Sequence, residues 1–294
     1  MSAYIQLIRP KDWVKNLFLF IPVFFAGQIF NMETAINLLG GFICFSLVAS
    51  SIYIINDYRD IEDDQKHPIK KTRPLASGAV AKSHAIIICI VFLLIGFTAA
   101  YFIRDKFMFV LAIYLMLNIG YSFGLKNIPI LDIIIVAIGF VLRVKSGAII
   151  AFIGLSEWLT IMIFLLALFM ALAKRRDDVL LKLSLGTDMR KAVKGYNLEF
   201  INVALSLICA VIVVAYFMYT TSPEIIERLH YRLYYTCLFV LAGVFRYLQL
   251  IFVQQDSQSP TKILYKDRFI QIVILLWVIS FYSILYLKNI TLFN

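Results

Sequence analysis

"IYIINDYRDIEDDQKHPIKKTRPLASG", Ile52 to Gly78, separates two long apolar stretches and carries five acidic side chains, five basic ones and a histidine. The composition of the whole chain says where such a stretch must lie. Its 294 residues are 62% hydrophobic and only 16% charged, with a mean hydropathy of +0.86, whereas a soluble domain carries about a quarter charged residues. The chain therefore reads as a polytopic membrane protein, and its length counts bilayer crossings of about 20 residues each. The charged stretch is a connector at a membrane surface.

Working outward from it, nine crossings are expected, over 13–30, 38–55, 85–103, 107–123, 129–153, 158–173, 200–219, 233–253 and 269–287. No segment sustains the period-2 alternation of a barrel strand, so helices are the way to satisfy backbone polar groups in lipid. The expectation is an all-α integral membrane protein, 1–294 forming a single polytopic domain without a clear internal repeat. Arg9, Lys11 and Lys15 ahead of an apolar run imitate a secretory leader, but Pro22 and four phenylalanines occupy the run and no clear small-x-small site follows. An uncleaved first span is expected.

Twenty of the 28 lysines and arginines fall on the N-terminal side of this topology and five on the other. The positive-inside rule makes the crowded side cytoplasmic, with the N-terminus inside a bacterial-type inner or plasma membrane and the C-terminus outside. The net charge of +10 then belongs mostly to a cytoplasmic face. Its partner is the anionic lipid surface rather than nucleic acid. Cys44, Cys89, Cys209 and Cys237 sit singly within spans, and His67, His84 and His230 do not cluster with them, so no zinc site is expected.

Three polar blocks carry candidate chemistry. In the connector, Asp57, Asp60 and Asp64 recur at i, i+3 and i+7, which on a helix is one face. Carboxylates on one stripe repel each other, and the pattern suits a hard cation such as Mg²⁺, which takes one or two carboxylates together with substrate phosphates. A solvated, charge-mixed helix end is the plain alternative. "KRRDDVLLKLSLGTDMRKAVKGYN", from Lys174, opens with three consecutive cations after the sixth span. It reads either as ordinary positive-inside flanking or as an anion-binding cluster, since arginine grips phosphate bidentately. "YSFGLKNIPILD", Tyr121 to Asp132, brings Lys126 to the same surface, while Arg143 and Lys145 lie inside the fifth span. Charges at that depth are costly and usually face a polar cavity.

"NDYRDIEDD" matches NDxxDxxxD through Asn56, Asp57, Asp60 and Asp64 and resembles the first aspartate-rich motif of UbiA-type intramembrane prenyltransferases. "RPLASG", Arg73 to Gly78, resembles the same superfamily. Within it, "RPKDWVKNLFLFIPVFFAG" (9–27), "YSFGLKNIPILDIIIVAIGFVLR" (121–143), "LFMALAKRRDD" (168–178) and "FRYLQLIFVQQDSQSPTKILYKDR" (245–268) are similar to the decaprenyl-phosphate phosphoribosyltransferase branch. The resemblance implies a nine-helix bundle whose active site opens to the cytoplasm. Asp57, Asp60 and Asp64 would be the catalytic Mg²⁺ ligands. Lys15, Asn16, Asn56, Lys70, Arg73, Tyr121, Lys126, Arg143, Lys174, Arg175, Arg176 and Tyr196 would be the substrate-binding set. In quinone-forming members a second motif, DxxxD, holds another Mg²⁺; here Lys174 stands in its first place and Asp178 in its last.

What the resemblance implies is transfer of phosphoribose from 5-phosphoribosyl-1-diphosphate (PRPP) to a membrane polyprenyl phosphate, with Mg²⁺ as cofactor; whether copies associate into a homo-oligomer is left open. Two other readings remain at this point. One is a prenyltransferase that moves a prenyl group from its diphosphate to an aromatic or other small acceptor. The other is a transporter or lipid-binding membrane protein with no catalytic activity.

Overall fold

The computed structural model describes residues 3–28, 30–66, 70–185, 195–229, 233–253 and 266–286. His67, His230 and the basic residues Arg190, Lys191, Lys194, Arg232, Lys262 and Lys288, counted above for orientation, lie outside the described residues. Within these bounds the regular structure is helical throughout. The chain opens with α1 (Ala3–Ile8), a 3₁₀ segment (Pro10–Phe20) and α2 (Ile21–Phe25). It continues through α3 (Met32–Arg59), α4 (Ile61–Lys66), α5 (Lys82–Ile103), α6 (Asp105–Ser122), α7 (Leu131–Ile150) and α8 (Glu157–Leu185). The remainder is α9 (Leu198–Thr220), α10 (Pro223–Leu229), α11 (Cys237–Phe252) and α12 (Arg268–Tyr286).

Among the described residues, six helical stretches are long and apolar enough to cross a membrane: α3, α5, α7, α8 over Glu157–Leu183, α9, and Leu233–Phe252, which ends in α11. They correspond to six of the nine expected crossings. The first expected crossing is built differently, as the 3₁₀ segment followed by one short helix. Pro10 and Pro22 supply no N–H and fix φ, so the regular i→i−4 ladder is interrupted at both. The fourth, α6, opens on Asp105-Lys106, and the ninth, α12, offers only the shorter apolar run Arg268–Ile284. Large outward side chains fit a lipid surround: Leu94 and Phe102 on α5 are 63% and 81% exposed, which water would penalise.

Two long helices place the polar blocks. α3 is 28 residues long, about 42 Å at 1.5 Å per residue. It outruns the roughly 30 Å hydrocarbon layer, so its last turns, with Asn56 and Asp57, reach the polar boundary. Asn31 caps its start, accepting the Thr34 amide at 3.0 Å. α8 is 29 residues long and runs twelve residues past the expected end of the sixth crossing at 173. Lys174 to Leu185 therefore lie inside a helix rather than in the loop after one. Leu, Ala, Lys and Arg all favour helix, and nothing in that run stops it.

The chain divides into two compact units, Met1–Lys126 with Ile138–Leu155, and Asn127–Ala137 with Ser156–Asn294. In the first, α3 packs on α5, α6 and the 3₁₀ segment around Phe45, Val48, Phe107 and Leu111. Gly147 of α7 permits this packing: a Cβ there would meet the Leu19 carbonyl oxygen at 1.8 Å. Such close backbone approach is how helices in lipid gain van der Waals contact. In the second unit, α8, α9, α11 and α12 enclose Leu172, Ile201, Leu205, Leu250 and Ile270.

Candidate active site

The aspartate stripe survives the end of α3. Asp60 is its C-cap, yet the amides of Asp60 and Asp64 still bond the carbonyls of Asn56 and Asp60 at 3.0 and 2.8 Å. The helical phase thus carries over into α4. Asp57 and Asp64 are buried, at 2% and 3% exposure, whereas Glu62 and Asp63 face outward.

Each carboxylate of the stripe has a cation. Arg9 Nη2 donates to both oxygens of Asp57 at 2.6 Å. Arg73 Nη1 bridges Asp57 at 3.0 Å and Asp64 at 2.7 Å. Asp60 turns instead to Lys126, whose Nζ lies 2.7 and 2.9 Å from its oxygens and 3.3 Å from Asn56 Oδ1. Among the described residues no three His, Cys, Asp or Glu side chains converge as a metal centre. Two do: Asp57 and Asp64 share one nitrogen of Arg73. Two hard carboxylates suit a Mg²⁺, which takes one or two carboxylates together with substrate phosphates, and Asp57 and Asp64 are the residues that would hold it.

A cavity of about 330 Å³ opens on this group, lined by Gln6, Arg9, Asp12, Asp57, Thr72 and Arg73 among others. Arg9 reaches it from a left-handed backbone, φ 55° and ψ 56°, and its guanidinium lies 5.0 Å from the Tyr53 ring centroid. Lys15, 5.9 Å from the same ring, bonds Asp12 at 2.6 Å and Tyr53 at 3.4 Å. Arg9 and Tyr53 are the residues sequence reading missed. Arg9 opens the 9–27 stretch and counts toward orientation but is given no place in the site, and Tyr53, one helical turn before Asp57, carries no distinguishing spacing.

Deeper in the same unit, Arg143 is buried among neutral partners. It donates to Asn16 Oδ1 at 2.9 Å, the Gly139 carbonyl at 3.0 Å and the Tyr114 hydroxyl at 2.7 Å. The rings of Phe45, Tyr114 and Phe140 surround it at 4.9–5.3 Å, a favourable setting for a desolvated cation. Asn16 in turn donates to Ser46 at 2.9 Å. This knot ties the 3₁₀ segment to α3 and α7.

Of the expected set, the second unit holds Lys174, Arg175, Arg176 and Tyr196. Lys174 is exposed on α8. Arg175 is buried between Asp132, 3.1 Å away, and Asp178. Arg176, also buried, donates to Asn202 at 3.0 Å and the Ile251 carbonyl at 3.4 Å. Tyr196 accepts the Ile130 amide at 2.6 Å and donates to Asp132 at 2.7 Å. Burial, with the bond to Asp132, pushes its phenol pKa up, so it remains a donor. Of the KRR block, Lys174 alone faces outward; its two neighbours brace the fold. Tyr121 is half-buried on the last turn of α6, and Lys70 opens a short 3₁₀ turn whose carbonyl accepts the Arg73 amide at 2.9 Å.

A family model described as the UbiA prenyltransferase family matches residues 17–273. The chain belongs to the UbiA family. Two relatives, from Corynebacterium glutamicum and Mycolicibacterium smegmatis, are each 30% identical to it over 292 residues. The matches cover 97% and 95% of this chain and 87% and 91% of theirs, and both relatives are named decaprenyl-phosphate phosphoribosyltransferase. Among solved structures, a UbiA homolog from Archaeoglobus fulgidus bound to DMAPP and Mg²⁺ superposes with a TM-score of 0.70 at 21% identity. The match covers 97% of this chain and 99% of that one. The chain is thus an all-helical UbiA-type integral membrane protein of the transferase class.

Proposed function

We propose that this UbiA protein transfers a 5-phosphoribosyl group from PRPP to a membrane polyprenyl phosphate. One observation carries the reading. Lys174, an exposed cation, stands where the prenyl-diphosphate enzymes need a metal-binding aspartate, in a chain whose similarity to named phosphoribosyltransferases runs nearly end to end. An ammonium cannot ligate Mg²⁺ but neutralises phosphate directly, which suits a donor with a second phosphate on its ribose.

In the reaction the bond from C1 of ribose to the diphosphate oxygen breaks, and a bond from C1 to an acceptor phosphate oxygen forms. Pyrophosphate leaves with the bonding pair. C1 becomes oxocarbenium-like, as in other glycosyl transfers. The acceptor oxygen is already anionic, so no side chain has to remove a proton from it. The residues of the chain work by charge and position: Arg9, Arg73 and Lys126 would hold mutually repelling phosphates together. A Mg²⁺ held by Asp57 and Asp64, with Asp60 beside them, would supply charge neutralisation to the departing diphosphate. The isoprenoid tail would lie along apolar helix faces. The 3₁₀ segment with α2, α6 and α12 would complete nine crossings, with the N-terminus and the site on the cytoplasmic side, where PRPP is made.

The test is direct. Purified protein with labelled PRPP, Mg²⁺ and short polyprenyl phosphates should yield a labelled lipid and pyrophosphate, and EDTA should stop it. A protein that ignores PRPP and consumes prenyl diphosphate belongs to the alternative reading, prenyl transfer to a small acceptor.

A further inference from the structure

Arg9 and Arg73 hold Asp57 from two sides, and Arg73 holds Asp64 as well. Both guanidiniums remain about a quarter exposed, at 24% and 26%, and both line the 330 Å³ cavity. The other acidic lining residue, Asp12, is matched by Lys15 at 2.6 Å, so it does not compete for either arginine. A divalent cation and these two arginines therefore need the same carboxylate oxygens. They cannot all have them.

We propose that Arg9 and Arg73 are exchangeable internal counter-ions. Paired with Asp57 and Asp64 they supply the positive charge that two buried carboxylates require. When a divalent cation arrives with a diphosphate, they release Asp57 and Asp64 to the cation and turn to the diphosphate oxygens in the cavity. This rests on the reading above, that the site takes a diphosphate-bearing donor with a divalent metal.

The consequence is obligatory coupling. A cation binding alone must displace guanidiniums that gain no new partner. A diphosphate binding alone would draw the arginines off and leave Asp57 and Asp64 buried and uncompensated, an expensive state. Together the two ligands satisfy every charge, and linkage makes the effect reciprocal. The left-handed backbone at Arg9 fits such a role, since strained positions gather where a site must switch partners.

The probes are Mn²⁺, followed by electron paramagnetic resonance, and radiolabelled inorganic pyrophosphate, each with the full chain in detergent. Replacing one arginine removes a competitor of the metal and a ligand of the anion. Arg9→Gln should bind Mn²⁺ alone about threefold to tenfold tighter and retain pyrophosphate at saturating Mn²⁺ about tenfold more weakly, opposite signs from one substitution. A purely structural arginine would lower both affinities, and a simple anion ligand would leave the Mn²⁺ affinity unchanged; either result overturns the exchange. Arg73→Lys gives a milder version of the same opposed pair. The wild type supplies a measurement that does not depend on any variant folding. Its melting temperature should rise with Mn²⁺ and pyrophosphate together by more than the sum of their separate effects, and additive shifts refute the coupling. Absence of coupling in a protein that still makes labelled lipid from PRPP sinks only the exchange; coupling without phosphoribosyl transfer sinks only the PRPP reading.

Discussion

Asp63 and Asp64 are adjacent in sequence and differ in environment: Asp64 is buried against Arg73 while Asp63 faces outward. Asp64→Asn keeps the shape, removes the charge, and should lower kcat/KM by roughly a hundredfold, about 2.7 kcal/mol of transition-state stabilisation. Asp63→Asn should change it less than about threefold, because a solvated surface charge contributes little. Steady-state kinetics on the two variants, with circular dichroism to confirm folding, decides; an essential Asp63 beside a dispensable Asp64 would mean the motif is misaligned by one residue. Lys174 is the second residue whose role is separable. Losing one charge-assisted contact to phosphate costs about 1.5–3 kcal/mol, so Lys174→Ala should reduce kcat/KM for PRPP or polyprenyl phosphate roughly ten- to a hundredfold. Lys174→Asp should be worse still, and an active Lys174→Asp enzyme would favour prenyl-diphosphate chemistry. At this scale the stripe was legible because spacing alone puts three carboxylates on one face. Arg9 was not, because an arginine ahead of an apolar run looks the same whether it meets lipid headgroups or reaches Asp57 across 48 residues of sequence.

The turn between α6 and α7 shows what neighbouring elements impose on one another. Ile130 is held at φ 69°, a conformation that a β-branched residue rarely adopts. Tyr196 takes its amide, and Gly195 leaves room for the ring of Pro129, whose Cγ would lie 2.2 Å from a Cβ at that position. Tyr196→Phe removes the acceptor of the Ile130 amide and the donor to buried Asp132 together. It should destabilise the protein by about 1–3 kcal/mol, visible as a lower melting temperature in detergent, while kcat/KM per folded molecule changes far less than in Lys174→Ala. Equal losses of activity in the two variants would return Tyr196 to the substrate-contact set. The reach of α8 is a similar case. Expected to end near 173, it runs to Leu185 and buries Arg175 and Arg176 in pairs with Asp132, Asp178, Asn202 and a backbone carbonyl. Two cations that look like phosphate ligands in a string of letters are buried in contacts within the fold, because successive helical residues point about 100° apart and, of the three, Lys174 points outward.

For the molecule as a whole, the strongest remaining expectation is orientation. Reporter or cysteine tags at Lys70, Lys191 and Lys262 should be accessible from the cytoplasm, and tags near Asn31, Asp105 and the C-terminus from outside; Lys191 and Lys262 lie outside the described residues, so the experiment also extends the topology. Finding the Lys70 and Lys191 loops on opposite sides would break the nine-crossing arrangement and the single cytoplasmic site with it. By itself the sequence determined that the chain lives in a bilayer, that it is helical, and where six of its long spans fall. Each of these is a property of local composition and period, which act within one segment. Tertiary structure alone decided which cation meets which carboxylate. Asp57 finds Arg9 and Arg73, Asp60 finds Lys126, and Asp132 finds Arg175 and Tyr196. It also decided that the 3₁₀ segment packs its backbone against Gly147 of α7. Those outcomes depend on helices far apart in the chain packing side by side, and the low dielectric of the interior then makes every buried charge choose a partner.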